Sequence, residues 1–500
     1  MMDGSGKSDR PVVPEKPLNK ATGAPGAAEG AEERGLAKGD PPQLPSSRTQ
    51  SRAMLKRKLW RIRQVAEERK EEPFTALWHH IYNPNRLHES YWAVNRSSAP
   101  GVDGVTWKQY GEQLWGNLTD LAGRLMRGAY RPLPVERTYI PKGDGSQRPI
   151  GKNAMEDKIV QRTFSQVVGE VYEAEFLGFS YGCRPGRSQH QALDALSVGL
   201  DKRPVNWVLD ADIRGFFGAI DHEWLLRFLQ HRIEDQRVLR QVRKWLKAGV
   251  LEEGEIHVAR SGTPQGGNVS PLLANIYLHY VLDLWAHRWR RKRARGAMII
   301  VRYVDDFVAG FEYREDAERF LVELRERLSR FHLELHADKT RLIEFGRFAA
   351  QNRKERGQGK PETFDFLGFT HMCSTNRRGR SIVRRHTMRQ RLAAKLKSIK
   401  VELKRRRHQK LAEQRKWVIA VLQGHYQYYG VPRNIHALGV FYRELLRLWW
   451  RALRRRGQKR RLSWKRFFRK AGQWLPRPRI THPYPDQRLC VTTQGRSPVR

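Results

Sequence analysis

Residues 299–311 read IIVRYVDDFVAGF. Apolar residues lead up to Tyr303 and Val304, two adjacent aspartates follow, and a second apolar run begins at once. Neighbouring like charges repel, and apolar flanks raise the cost of keeping both ionised. The pattern predicts two buried strands around a tight turn that carries Asp305 and Asp306. Asp also suits turns for purely local reasons, so the pair needs a second observation before it implies chemistry.

That observation lies upstream. VNWVLDADI at 205–213 reads as a buried strand ending in Asp210 and Asp212. DHEWLLRFLQHRI reads as a helix opened by Asp221. In SPLLANIYLHYVLDLW, Ser270 is the expected N-cap and Pro271 the first helical residue. Leu272, Leu273, Ile276, Tyr277, Tyr280, Val281 and Leu284 are its expected buried face. REDAERFLVELRERLSRF is an amphipathic helix and KTRLIEF a final strand. With the inserted helix set aside, the order is β-α-β-β-α-β, the split βαβ arrangement. Its first strand lies beside the central hairpin, so Asp212 is expected to face Asp305 and Asp306. Three such carboxylates stay ionised only if cations neutralise them. Mg²⁺ held by a few carboxylates and substrate phosphates suits the set. Two such ions can activate a 3′-hydroxyl and stabilise a departing pyrophosphate.

Charge points the same way. Lys and Arg number 95 against 52 Asp and Glu, giving a formal net charge of +43. A field of that sign implies a polyanionic partner, and nucleic acid is the usual one. An anionic membrane surface and a cationic disordered tail are both disfavoured, because the basic segments also carry Trp, Tyr and Leu at helical spacing; no apolar stretch approaches spanning length. Cys183, Cys373 and Cys490 form no pair at metal-ligand spacing, which argues for a reducing compartment and against a zinc ribbon. The N-terminus has no signal-peptide core, and a bacterial cytoplasmic location is expected.

Five hundred residues imply several domains. Residues 1–52 read as a disordered tail, rich in Gly, Ala, Pro and Ser; its GSGKS lacks the rest of a phosphate-binding loop. A basic helix, RAMLKRKLWRIRQVAEERK, is expected to open the ordered chain. In EDKIVQRTFSQVVGEVYEAEF, residues Ile159, Val160, Phe164, Val167, Val168 and Val171 mark one helical face. Residues 386–456 show long basic helical pattern with embedded aromatics.

Taken together these motifs resemble the reverse transcriptases encoded by bacterial group II introns, the intron-encoded maturases. NPNRLHESYWAVNRSSAPGVDGVT is similar to their N-terminal extension; YIPKGDGSQRPIG and FLGFSYGCRPGRSQHQAL are similar to the fingers. DADIRGFFGAIDH, GTPQGGNVSPLLANIYLH, YVDD, LELHADKT and FDFLGF resemble successive palm motifs, and LQGHYQYYG the thumb. The resemblance implies an α+β right-hand polymerase with a ferredoxin-like palm, followed by an α-helical thumb or maturase domain. The implied boundaries are 53–204 for the N-terminal extension and fingers, 205–372 for the palm, 380–456 for the thumb, and 457–500 for a basic DNA-binding segment. It implies an RNA-directed DNA polymerase that uses two Mg²⁺ ions and deoxynucleoside triphosphates. Its partners would be an RNA template, intron RNA whose splicing and mobility it promotes, and a DNA primer or target. Alternatives are an RNA-binding splicing factor with a vestigial polymerase, and a domesticated enzyme of defence or repair.

Residue roles follow from the same resemblance. Asp212, Asp305 and Asp306 match the catalytic, metal-binding aspartates. Asp210, on the same strand face as Asp212, is a rival. Asp212 is preferred because Phe216 and Phe217 then fall where the family places the ring under the sugar, and Ile213 is placed among the nucleotide-binding residues with them. Core packing is the other reading of Phe217. Lys142 and Arg148 match the residues that grip the triphosphate, and Gln265 the residue beside the nucleotide sugar. Gly266 and Gly267 would let backbone approach the substrate. Lys339 matches a residue near the triphosphate or a general acid, and a solvated surface Lys reads almost as well. Tyr426, Tyr428 and Tyr429 either stack nucleic acid or pack helix against helix. The chain departs from the family in Val304, where Ala is commonest, in GKNAMEDK, and in lacking the paired Cys and His of an HNH endonuclease domain. A β-branched Val304 is expected to fit a strand end.

Overall fold

The computed structural model describes residues 46–141, 147–252, 254–257, 261–263, 266–456 and 463–488. Lys142, Gln265, Cys490 and nearly all of the tail expected over 1–52 lie outside these residues. The chain's strands begin with the antiparallel hairpin β1 (Val135–Pro141) and β2 (Gln147–Lys152), followed by β3 (Trp207–Asp212). A short hairpin of β4 (Val250–Glu252) and β5 (Glu255–His257) comes next, with β4 parallel to β1. Then come β6 (Met298–Tyr303), β7 (Asp306–Phe311) and β8 (Arg341–Glu344). A three-stranded sheet of β9 (Phe364–Phe366), β10 (Phe369–Thr375) and β11 (Ser381–Thr387) completes the set.

The central sheet has the order β6-β7-β3-β8, with every neighbouring pair antiparallel. This is the order the split βαβ reading requires: the first strand sits between the third and the fourth. Alternation along the strands divides two cores. Leu209, Ala211, Ile300, Phe307 and Ala309 face the larger one, together with the helix Met155–Glu173. That helix buries Ile159, Val160, Phe164, Val167, Val168 and Val171 completely, the face its periodicity predicts. Val208, Val301, Val308 and Ile343 face the other core, against the helix Gln189–Lys202 and Phe364, Phe366 and Phe369.

Several boundaries differ from expectation. The first helix starts at Ser46, ahead of the expected basic segment, and runs to Glu68. The helix opened by Asp221 forms as expected, its side chain accepting from the Trp224 N–H at 2.8 Å. Ser270 is not an N-cap, however. Val269 holds that position, and Ser270 and Pro271 are the first two helical residues. A π-helical turn at His279–Asp283 then interrupts the helix. The wider turn rotates everything after it, so Asp283 is fully buried while Leu284, expected inward, is 40% exposed.

A third core gathers the helices Arg389–Arg405, Leu411–Tyr429, Ile435–Arg454 and Trp464–Trp474. The three tyrosines of LQGHYQYYG are engaged in packing rather than offered for stacking. Tyr426 is 2% exposed inside this core. The Tyr428 hydroxyl donates to the Leu367 carbonyl at 2.9 Å, and the Tyr429 ring packs on Phe369. The segment after residue 457 is also no separate appendage among its described residues. Phe467, Ala471 and Leu475 share the core of Trp449, and Thr481 donates from its N–H to the Gly430 carbonyl at 2.8 Å. Phe467→Ala is therefore expected to cost about 3–5 kcal/mol in chemical denaturation, as for a buried core aromatic. A loss below about 1 kcal/mol would show that this helix is only loosely attached.

Candidate active site

The register of the central sheet builds the site. Asp212, the last residue of β3, is paired directly with Asp306, the first residue of β7. Residues opposite each other on an antiparallel pair share a face with Cβ atoms about 5 Å apart. Asp210 lies two residues back on that face, opposite Val308. Val208 and Val308 cover the middle of the face with apolar side chains, and the carboxylates occupy the strand ends beyond that core.

The turn between β6 and β7 consists of Val304 and Asp305. Val304 has φ 61°, and Asp305 does not share the positive angle. A positive φ at the first central residue alone is the type II′ hairpin pattern, which is normally reserved for Gly. Val304 thus does not extend a strand, as its β-branching suggested; it sits in a strained turn, at a cost of roughly 1–3 kcal/mol. Two features hold it there. Gly182 lies so close that a Cβ on it would stand 2.6 Å from the Val304 backbone nitrogen. Arg302 donates from Nη1 to the Val304 carbonyl at 2.9 Å.

Arg302 is buried completely, as is Asp283. Its Nε and Nη2 donate to the two Asp283 oxygens at 2.7 and 2.5 Å. Nη1 also donates to Asn275 Oδ1 at 3.0 Å, and Nη2 to Ser180 Oγ at 2.8 Å. All five guanidinium N–H groups are therefore used. Asn275 Nδ2 in turn donates to the Gly182 carbonyl at 2.7 Å, which fixes the chain against the turn. The sequence reading missed this network. Its signals were an Arg inside the apolar run MIIVRY and an Asp inside YVLDLW.

Electrostatics mark the carboxylates as uncompensated. Burial first, then the charges of Asp210, Asp212 and Asp305, push the Asp306 carboxyl well above the ordinary range. Burial and Asp212 also raise Asp305, while Arg148 and Arg302 pull it back. Burial raises Asp210 to about 6 against the opposing charge of Arg341. Arg341, its partner on β8, approaches at 3.4 Å. Lys339 Nζ contacts Asp212 at 2.9 Å from a side chain that is 59% exposed, a surface Lys that reaches the carboxylates.

Other expected residues divide between core and surface. Phe216 is buried in the main core, whereas Phe217 is half-buried at its edge. The Ile213 side chain is 2% exposed and belongs to the same core, so any contact it makes with a ligand must come from its backbone. Gly266, at φ 107°, makes its close approach to the Gly151 carbonyl of β2. The Thr263 N–H donates to the Phe217 carbonyl at 2.8 Å, which ties the two backbones together.

The donor set fits hard divalent cations. Carboxylate oxygens lie at the ends of two adjacent strands, half-buried, the hard donors that such cations take. Among the described residues no three His, Cys, Asp or Glu side chains are already gathered as a complete ligand set.

Residues 140–371 match the family described as reverse transcriptase (RNA-dependent DNA polymerase). This part of the chain is similar to reverse transcriptases, and the relatives it matches include a group II intron-encoded protein. Protein YkfC of Escherichia coli is 34% identical over 238 residues, which cover 42% of this chain and 62% of YkfC. The group II intron-encoded protein LtrA of Lactococcus lactis is 35% identical over 234 residues, covering 45% of this chain and 38% of LtrA. A 91 kDa protein in the cob intron of Schizosaccharomyces pombe is 40% identical over 146 residues, 29% of this chain and 18% of that protein. The matched stretch thus spans less than two thirds of each of these relatives.

Breaking a fully buried ion pair from one side leaves an unpaired charge, at a cost of about 3–5 kcal/mol. Arg302→Leu and Asp283→Leu should each lose that much stability, and the double variant less than their sum. Additive losses in a denaturation cycle would show that the two side chains do not act as a pair.

Proposed function

We propose that this chain is an RNA-directed DNA polymerase that extends a DNA primer on an RNA template, with Asp212, Asp305 and Asp306 as its catalytic carboxylates. The observation that carries this reading is the direct pairing of Asp212 with Asp306 beside a turn that presents Asp305. In this reading the central sheet is the palm. The β1–β2 hairpin and the helices before it are fingers, and the helices from Arg389 onward are the thumb. When bound, two Mg²⁺ ions would activate the primer 3′-hydroxyl and stabilise the departing pyrophosphate.

The chain's own residues supply position and charge. Asp212 and Asp306 hold the negative charge at fixed register, and the type II′ turn fixes the direction of Asp305. Arg148, whose charge reaches Asp305, would bind the triphosphate from the fingers side with Lys142. Gln265 would lie beside the sugar. Phe217 rather than Phe216 would sit beneath the sugar and exclude a 2′-hydroxyl, because Phe216 is committed to the core. Lys339 occupies Asp212 here; an incoming triphosphate would compete for the same ammonium, which would then follow the phosphate charge.

Likeness to LtrA, named as group II intron-encoded, supports a further role in binding intron RNA and promoting its splicing and mobility. Asp210 is assigned a supporting place, since Arg341 pairs with it from β8. Asp212→Asn or Asp305→Asn should abolish primer extension on an RNA template while RNA affinity stays within about twofold, the binding being dominated by cationic contacts with phosphates. Asp210→Asn should retain extension. Loss of extension in Asp210→Asn, with activity kept in Asp212→Asn, would overturn the assignment.

A further inference from the structure

The turn Arg127–Tyr130 and the helix Gln236–Lys247 enclose a cleft that shares no lining residue with the carboxylate site. Its volume is about 90 Å³, and Trp78, Arg127, Tyr130, Arg240, Gln241 and Lys244 line it. No carboxylate does.

Two independent observations give the cleft a ligand. The first is a buried donor without an acceptor. Gln241 is 3% exposed, and its Nε2 has no hydrogen-bond partner. Native structures rarely leave such a group unsatisfied, and an unfilled ligand position is one reason they do. The second is unneutralised cationic charge. Arg237 is paired with Asp235 at 3.3 Å, but Arg127 and Arg240 make no ion pair with any described residue. Lys244 donates to the carbonyls of Gly128 and Tyr130 at 2.8 and 2.6 Å, which closes the floor. Burial, then Arg131 and Arg240, hold its pKa below the ordinary lysine value.

Amide N–H and guanidinium donors without a carboxylate exclude a metal cation and select an oxyanion. Arg forks favour phosphate in particular. The helix itself carries Arg237, Arg240, Arg243, Lys244 and Lys247 and no acidic residue. Arg240, Lys244 and Lys247 recur at steps of four and three, so they form one stripe, about 10 Å long at 1.5 Å per residue. Lys247 lies beyond the residues lining the cleft. A stripe that continues past the cavity suits a polymer better than a single free nucleotide.

We propose that this cleft binds a backbone phosphate of a single-stranded RNA. A half-turn of the Gln241 amide, whose Nε2 is covered in this arrangement, presents that donor to a non-bridging oxygen at the floor; Arg127 and Arg240 clamp the phosphate from the rim, and Lys247 meets the next one. The proposal rests on nucleic-acid binding and not on the polymerase chemistry, so its failure leaves the carboxylate assignment untouched.

The test uses the full-length protein and a fluorescein-labelled, unstructured RNA, with affinity measured across a KCl series. Each lost phosphate contact lowers the log–log salt slope by about 0.7. Arg127→Gln/Arg240→Gln, which removes the clamp on one phosphate, should therefore lower the slope by about 0.7, and the control Arg325→Gln/Arg330→Gln by less than about 0.3. Gln241→Leu should weaken binding about tenfold with the slope unchanged, a loss of the size expected for one hydrogen bond to a charged group. Gln241→Glu, a nearly isosteric change that adds negative charge, should weaken it further and guards against a folding defect in the Leu variant. Primer extension at saturating template should be unaltered in all four. Equal slopes in the two Arg pairs, or wild-type RNA affinity in both Gln241 variants, would overturn the proposal. Stabilisation by inorganic phosphate that is lost in the Gln241 variants, with RNA affinity intact, would reassign the cleft to a small anion.

Discussion

The guanidinium of Arg302 is the constraint from which the rest of the site follows. It joins the interrupted helix, through Asn275 and Asp283, to the segment around Ser180 and to the carbonyl of Val304. A buried pair of this kind adds little net stability compared with well-packed apolar residues, because both charges must be desolvated. What it contributes is direction. Five fixed donors leave one arrangement for the turn, and the π turn at His279–Asp283 is the local deformation that brings the Asp283 carboxylate inward. A strained, β-branched Val304 at positive φ persists because Arg302 and the close approach of Gly182 over-determine it.

With the turn fixed, the sheet register does the remaining work. Asp212 and Asp306 meet at the ends of two antiparallel strands whose middles are sealed by Val208 and Val308. The same strand ends carry Asp210, so negative charge accumulates faster than Lys339 and Arg341 neutralise it. A chain with a formal charge of +43 thus gathers four half-buried carboxylates at one place. In the proposed reading, cations there and phosphates on basic side chains would be two halves of one electrostatic arrangement.

Much of this was legible in the sequence because hydrophobic period carries it. The strand–helix alternation between 205 and 346, the buried face of Met155–Glu173 and the Asp212–Asp305–Asp306 grouping all follow from spacing. The π turn was not legible, since one extra residue per turn leaves no compositional mark, and it inverted the expected places of Asp283 and Leu284. Arg302 was visible as an anomaly in an apolar strand, but its partner could be found only after that turn was known. Tyr426, Tyr428 and Tyr429 were ambiguous for a different reason: an amphipathic ring suits a core and a nucleobase equally. The tail beyond residue 457 read only as a basic segment, although Phe467, Ala471 and Leu475 close the last core; its dense basic residues obscured the apolar stripe.

The central claim is that Asp212, Asp305 and Asp306 together hold divalent cations with a nucleoside triphosphate. Manganese binding followed by electron paramagnetic resonance tests it most directly, with primer–template and a non-hydrolysable deoxynucleotide present. The account predicts tight binding of two ions that requires the triphosphate and is lost in Asp212→Asn and Asp306→Asn. Undiminished binding in both variants would contradict it.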